Sequence, residues 1–68
     1  MFNNLEAEQA RRRLTNKEVA EILGISRQLY EARKVNGRFK LKEIKTLCQL
    51  FECSFEYLFA ASAEQQSA

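Results

Sequence analysis

Residues 14–37, LTNKEVAEILGISRQLYEARKVNG, decide the fold of this 68-residue chain. Thr15 can cap a helix in which Glu18, three residues later, completes a capping box. Gly24 then supplies the left-handed residue at which this helix ends, and Ser26 caps the helix that follows. The stretch therefore predicts two short helices joined by a tight turn at Gly24.

Three further helices are predicted, one before this pair and two after it. Asn3 or Asn4 can cap a first helix that runs to about residue 13. A fourth helix over residues 41–52 carries the strongest apolar periodicity in the chain. The residues that repeat there at three- and four-residue steps are Leu41, Ile44, Leu47, Cys48 and Phe51. Ser54 caps a last turn, and no segment alternates as a strand does, so an all-α bundle of five short helices is predicted.

The same spacing predicts which residues of the later helices face the core. In the third helix, Leu29 and Tyr30 are expected to point inward, and Asn36-Gly37 ends that helix. The apolar residues expected to be core in the last turn are Phe55, Leu58 and Phe59. We expect one domain over residues 1–59, followed by a polar tail over residues 60–68 that is frayed or disordered.

Composition limits the classes of function. The chain has no histidine and only two cysteines, Cys48 and Cys53, which are too few soft ligands for a zinc site. We interpret both thiols as small buried hydrophobes rather than a disulfide. No phosphate-cradling glycine loop or catalytic grouping appears, so no enzyme activity, metal, cofactor or small-molecule substrate is predicted. No apolar run reaches the ~20 residues of a membrane span, which predicts no membrane partner and a cytoplasmic protein.

Positive charge is concentrated in the middle of the chain. All eleven lysines and arginines lie within residues 11–45 together with four of the nine glutamates, so this segment carries +7 against −5 elsewhere. Such segregation predicts one basic face, which suits a nucleic acid but also occurs as plain solvated surface. For Arg11, Arg12 and Arg13, the edge of a DNA surface and a solvated helix end remain equal alternatives.

Several short motifs fall in an order typical of one family. They are Leu14-Thr15, Val19-Ala20, Leu23-Gly24-Ile25-Ser26-Arg27-Gln28, Asn36-Gly37 and Ser54-Phe55-Glu56-Tyr57-Leu58-Phe59. With them the chain resembles the phage repressor and Cro (XRE) family of helix-turn-helix proteins, which have the lambda-repressor-like fold. The resemblance implies a sequence-specific regulator of transcription that binds double-stranded DNA, as a repressor of phage, prophage or mobile-element origin in a bacterial cell or phage-infected host.

The resemblance also implies which residues contact DNA. The third helix would enter the major groove, with a base-reading set of Ser26, Arg27, Gln28, Glu31 and Ala32. Arg27 suits guanine and Gln28 suits adenine, because each side chain can form two hydrogen bonds with that base. Phosphate contacts are expected at the start of the second helix and after the third. Those residues are Thr15, Asn16, Lys17, Asn36, Arg38 and Lys40.

Three positions depart from the family pattern. Asn16 stands where glutamine is usual, and Arg33 lies near the place of an apolar side chain. The segment that ends at Gly37 is also one residue longer than usual. We therefore expect Val35 to supply the missing apolar contact, with the stem of Arg33 covering the rest.

The end of the helical region raises the question of self-association. Phe55, Tyr57 and Leu58 are predicted to form the interface of a weak homodimer, which would suit a palindromic operator with two half-sites. Two alternatives remain open. One is a protein-interaction or antitoxin-like helix-turn-helix module, and the other is the DNA-binding fragment of a longer regulator.

Overall fold

Five helices make up the part of the chain, residues 2–60, that a computed structural model describes. They are α1 (Asn3–Arg11), α2 (Asn16–Leu23), α3 (Arg27–Asn36), α4 (Leu41–Phe51) and α5 (Phe55–Leu58). No strand occurs among these residues, so the prediction of an all-α bundle of five short helices is confirmed. The tail prediction for residues 60–68 falls, from residue 61 onward, outside the described residues.

The turn between α2 and α3 forms as the local sequence predicts. Thr15 Oγ1 accepts from the Glu18 backbone N–H at 3.1 Å, and the Glu18 carboxylate accepts from the Thr15 N–H at 2.8 Å. At the other end of α2, Gly24 has φ +76°, a left-handed conformation that glycine adopts at little steric cost. The following Ile25 N–H donates to the Ala20 carbonyl, which closes the turn. The capping box and the glycine turn are therefore confirmed.

The ends of α3 are likewise fixed by local chemistry. Ser26 Oγ accepts from the Leu29 N–H at 3.0 Å, and Gly37 ends the helix with φ +73°. A Cβ on Gly37 would lie 3.2 Å from the ring of Phe2, so packing as well as backbone conformation favours glycine there. Both predicted ends of this helix are confirmed.

The start of α1 differs from the prediction. Phe2 occupies the capping position and makes no side-chain cap, while Asn3 and Asn4 lie within the helix. The amide of Asn4 instead donates to the carbonyl of Tyr57 at 2.8 Å, a contact across 53 residues that local sequence does not reveal. The predicted asparagine cap is therefore wrong, and Asn4 ties α1 to α5.

A single apolar core connects the helices. Its fully enclosed members are Leu5, Val19, Ala20, Tyr30, Leu47, Phe51 and Leu58. Three phenylalanines extend it on one side, where Phe39 and Phe59 pack edge to face at 5.3 Å and Phe2 packs on Phe59 at 5.5 Å. The helices α2 and α3 make the most extensive contact among the described helices, and Val19 and Ala20 of α2 are buried.

Two residues predicted for the core lie at the surface. Leu29 is exposed because its neighbour Tyr30 takes the inward position, and adjacent helical residues point about 100° apart. Phe55 is 52% exposed since Leu58, rather than the first residue of α5, fills the space beneath that short helix.

The inward residue at the end of α3 is Lys34 and not Val35. Lys34 follows the buried Tyr30 by four positions, so the two side chains share a helix face. Val35 falls one step further round and is 69% exposed. The predicted apolar contact of Val35 is therefore wrong, while Arg33 is half-buried and lies beside Glu43, with Nε 3.2 Å from Oε1.

The apolar face of α4 is buried mainly in its second half. Leu47 and Phe51 are enclosed, Ile44 and Cys48 are half-buried, and Leu41 is exposed. Cys48 and Cys53 are free thiols, half-buried rather than fully enclosed. Burial, with the nearby Cys53 and Glu56, raises the pKa of Cys48, so its thiol stays protonated at neutral pH.

Candidate nucleic-acid interface

The start of α3 presents an exposed polar surface. Ser26, Arg27, Gln28 and Ala32 are all exposed, and Glu31 is half-buried among them. This helix packs against α2 and its Tyr30 is buried in the core, so the exposed residues project from a helix that is anchored on its other side. These five are the residues that the sequence predicts to read bases, and the fold leaves their outward face uncovered by the rest of residues 2–60.

Arg27 and Glu31 are paired with each other on this surface. Arg27 Nη1 donates to Glu31 Oε2 at 2.9 Å, and the two side chains are 49% and 40% exposed. The hydrogen bond from Asn16, with that from Arg27, lowers the pKa of Glu31 below its ordinary value. Glu31 therefore remains a carboxylate at neutral pH, between a cation and an amide donor.

Asn16 connects the start of α2 with α3. Its Oδ1 accepts from Gln9 Nε2 and from Lys34 Nζ, both at 2.9 Å. Its Nδ2 donates to Glu31 Oε2 at 3.1 Å. The side chain that the sequence assigns to a phosphate is thus held from the core side and also contacts a predicted base reader.

A buried ammonium lies beneath this surface. Lys34 is only 8% exposed, and its Nζ lies 2.9 Å from the Glu6 carboxylate and 3.3 Å from Gln9 Oε1. The same ammonium sits 4.9 Å from the centre of the Tyr30 ring, within reach of a cation–π interaction. Sequence reasoning missed Lys34, although its four-residue spacing from Tyr30 was a signal that it faces inward.

Tyr30 belongs to the same buried group of hydrogen-bonded polar side chains. Its hydroxyl donates to Gln9 Oε1 at 2.8 Å, and the Gln9 amide nitrogen donates to the Leu14 carbonyl at 3.0 Å. Burial, with the charge of Glu6, raises the pKa of Tyr30, so the hydroxyl remains protonated and can serve as this donor.

The residues predicted to hold phosphates differ in how free their side chains are. Thr15 uses its hydroxyl as the α2 cap, while Lys17 is exposed at the start of that helix. After α3, Asn36 Oδ1 accepts from the Arg38 N–H at 2.8 Å and shapes the loop. The side chains of Arg38 and Lys40 are exposed there.

Arg11 and Arg12 are engaged elsewhere. Both bind the buried carboxylate of Glu8, at 2.6 and 2.8 Å, and Arg12 also donates to the Phe51 carbonyl and stacks on its ring. Tyr57 donates to the same carboxylate at 3.0 Å. Burial raises the pKa of Glu8, but the hydrogen bonds from Tyr57 and Arg12 and the charge of Arg11 outweigh it, so the net shift is downward.

One of the three residues predicted for the dimer interface does not lie at the surface. Leu58 is 0% exposed and belongs to the core of its own bundle, so it offers nothing to a second copy and its assignment to the interface is wrong. Phe55 and Tyr57 remain exposed. An apolar groove lies next to Phe55, and its other lining residues are Leu41, Ile44, Lys45, Cys48 and Gln49.

Comparison with protein families identifies the family of the chain. The family described as the Cro/C1-type HTH DNA-binding domain matches residues 4–64. None of the curated proteins or solved structures compared with the chain matches it.

Among residues 2–60, no group of three or more acidic, cysteine or histidine side chains is placed to hold a metal ion, and no helix is long and apolar enough to cross a membrane.

Proposed function

The chain belongs to the family of Cro/C1-type HTH DNA-binding domains, and on this premise we propose that it reads a specific double-stranded DNA sequence through the major groove. The observation that carries the proposal is the exposed start of α3, where Arg27 and Gln28 project from a helix fixed against α2. A helix in this setting fits the major groove, whose base edges present a distinct pattern for each base pair.

Arg27 and Gln28 are the main base readers in this proposal. Two hydrogen bonds from Arg27 to guanine, or between Gln28 and adenine, each contribute ~1–3 kcal/mol of discrimination against a wrong base. Ser26 lies at the edge of the same surface. Glu31 accepts from cytosine or orients Arg27, and Ala32 contacts a thymine methyl.

Phosphates are held on both sides of the reading helix. At the start of α2 the contacts come from Thr15, Asn16 and Lys17, with the free N–H groups of the first turn. After α3 they come from Asn36, Arg38 and Lys40. These contacts set affinity and register. With about six phosphates neutralised, binding becomes ~10³-fold weaker when the salt concentration rises from 50 to 200 mM.

The proposed biological role is repression of transcription by a protein of phage, prophage or mobile-element origin. A small domain that occupies an operator overlapping a promoter blocks polymerase without further machinery, and it acts in the cytoplasm, where the DNA is. Phe55 and Tyr57, with the adjoining groove, support a weak homodimer that aligns two α3 helices on a palindromic site. No catalysis is part of the proposal.

The second candidate is a protein-interaction or antitoxin-like module, or the DNA-binding part of a longer regulator. The same exposed groove favours it, because an apolar surface on a small domain also suits a partner protein. Co-purification of a stoichiometric partner bound through Phe55 would support this alternative over the homodimer.

Selection of bound duplexes from a random library tests the proposed function. We expect a consensus with two related half-sites about one helical turn apart, and binding of the selected duplex that weakens steeply with salt. Recovery of no consensus, or affinity that is flat in salt, would contradict the proposal.

A further inference from the structure

The buried ammonium of Lys34 lies at a place where three helices meet. It contacts Glu6 and Gln9 of α1 and Asn16 of α2, and it comes from α3 itself. An ammonium can only donate hydrogen bonds, so each of these neighbours must turn an acceptor toward it. Lys34 therefore dictates the orientation of the side chains around it.

The orientation of the Asn16 amide follows from its neighbours. Gln9 must direct its NH₂ group away from Lys34, and the Leu14 carbonyl, which can only accept, receives it at 3.0 Å. The same NH₂ group and the Lys34 ammonium both donate to Asn16 Oδ1. Turning the Asn16 amide over would set its NH₂ group against two donors. The oxygen of Asn16 therefore faces the core, and its NH₂ group faces α3.

The outward NH₂ group acts on the recognition surface. One of its two hydrogens goes to Glu31 Oε2, the oxygen that also accepts from Arg27. The second hydrogen is left for a phosphate oxygen. A continuous set of hydrogen bonds thus runs from the buried Lys34 through Asn16 and Glu31 to Arg27.

We infer that Lys34 is a positioning residue for DNA recognition, which acts by fixing the Asn16 amide and, through Glu31, the guanidinium of Arg27. The inference rests on the proposed function, in which Arg27 reads a base and Asn16 contacts a phosphate. It gives Lys34 a role in specificity without contact with DNA, because its ammonium is buried beneath the surface.

Lys34→Met tests the inference because it keeps a long side chain and removes the donor. Affinities for a selected duplex and for a random-sequence duplex are measured at several salt concentrations, together with unfolding in urea. We expect a folded variant whose preference for the selected duplex falls roughly tenfold, a loss typical of one coupled contact. The matched control is Lys42→Met, which removes one exposed lysine of α4 and should leave the preference unchanged.

The salt dependence separates positioning from direct contact. A lysine that neutralises a phosphate contributes about −0.9 to the slope of log affinity against log salt, so its removal makes the slope less steep by that amount. For Lys34→Met we expect an unchanged slope. A slope less steep by about one, or an unchanged preference for the selected duplex in the folded variant, would overturn the inference.

A double-mutant cycle tests whether Lys34 acts through Asn16. In the Asn16→Ala background, Lys34→Met should cause no further loss of preference, whereas two independent losses that add would overturn the inference. If Lys34→Met does not fold, Lys34→Leu, which also lacks a hydrogen-bond donor, takes its place in both measurements. Wild-type protein and Arg27→Ala are measured alongside, since a wild type without preference for the selected duplex would refute the proposed function itself.

Discussion

Arg27 and Glu31, two residues predicted to read bases, are bound to each other, with Nη1 of Arg27 2.9 Å from Oε2 of Glu31. The strongest donor on the exposed face of α3 is therefore already engaged in the free protein. DNA must compete with Glu31 for this guanidinium, or accept it in the orientation that Glu31 gives it. The carboxylate also repels any phosphate that approaches the start of α2, since it lies 3.1 Å from the Asn16 amide.

Glu31→Gln should therefore strengthen binding to random-sequence DNA. The change keeps a polar side chain of the same length and removes the negative charge that repels a phosphate at the start of α2. We expect about fivefold tighter binding to a random duplex, from ~1 kcal/mol of relieved repulsion, and a smaller gain on the selected duplex. Fluorescence anisotropy with both duplexes measures this. The control is Glu56→Gln on α5, and equal gains from the two variants would argue against a specific role for Glu31.

Acid should destabilise the contact between α1 and α5. The folded-state pKa of Glu8 lies below the ordinary value of 4.5, so its stabilising effect is complete above pH 4.5 and is lost as the pH falls through the lower, folded-state pKa. Urea unfolding between pH 7 and pH 3 measures this loss. Glu8→Gln should be less stable at pH 7 and should show a shallower decline with acid. A decline as steep as in the wild type would mean that another carboxylate is responsible.

Glu52 ends α4 in the left-handed conformation, with φ +54°, where a side chain is strained. Glu52→Gly should raise the free energy of unfolding by about 1 kcal/mol, because glycine adopts this conformation without the strain. Glu52→Ala is the control, since it removes the same charge from the end of the helix and keeps the Cβ. If the two variants have the same urea midpoint, the charge and not the backbone accounts for any gain.

Phe55 should be needed for self-association. It is 52% exposed and lies beside the apolar groove, so a lysine there would place a charge in the proposed contact. We expect sedimentation to show a weak dimer for the wild type, stronger on a palindromic duplex, and a monomer for Phe55→Lys. Ile22→Lys changes an exposed apolar residue of α2 and should still dimerise. A wild-type protein that is monomeric both free and on the duplex would refute the dimer.

The sequence predicted those features that depend on neighbouring residues. The capping box of Thr15 and Glu18, the turn at Gly24 and the end of α3 at Gly37 each follow from one or two local contacts, and all are confirmed. The core position of Tyr30 follows from helical spacing in the same way.

What the sequence did not reveal depends on contacts between distant segments. Lys34 enters the interior because Glu6, 28 residues away, supplies a carboxylate that partners its charge. Nothing near Lys34 in the sequence indicates that partner, and a lysine is ordinarily placed at the surface. The exposure of Phe55 and the burial of Leu58 likewise depend on how the short α5 meets α1 and α4.

Methylation interference at guanine N7 tests the central claim, that α3 reads bases in the major groove through Arg27. The measurement compares wild-type protein with Arg27→Ala on the selected duplex, with each guanine methylated in turn. We expect one guanine in each half-site at which methylation blocks the wild type but no longer affects Arg27→Ala, because the contact is already gone. Identical interference patterns for the two proteins, or no interference at any guanine, would contradict the account.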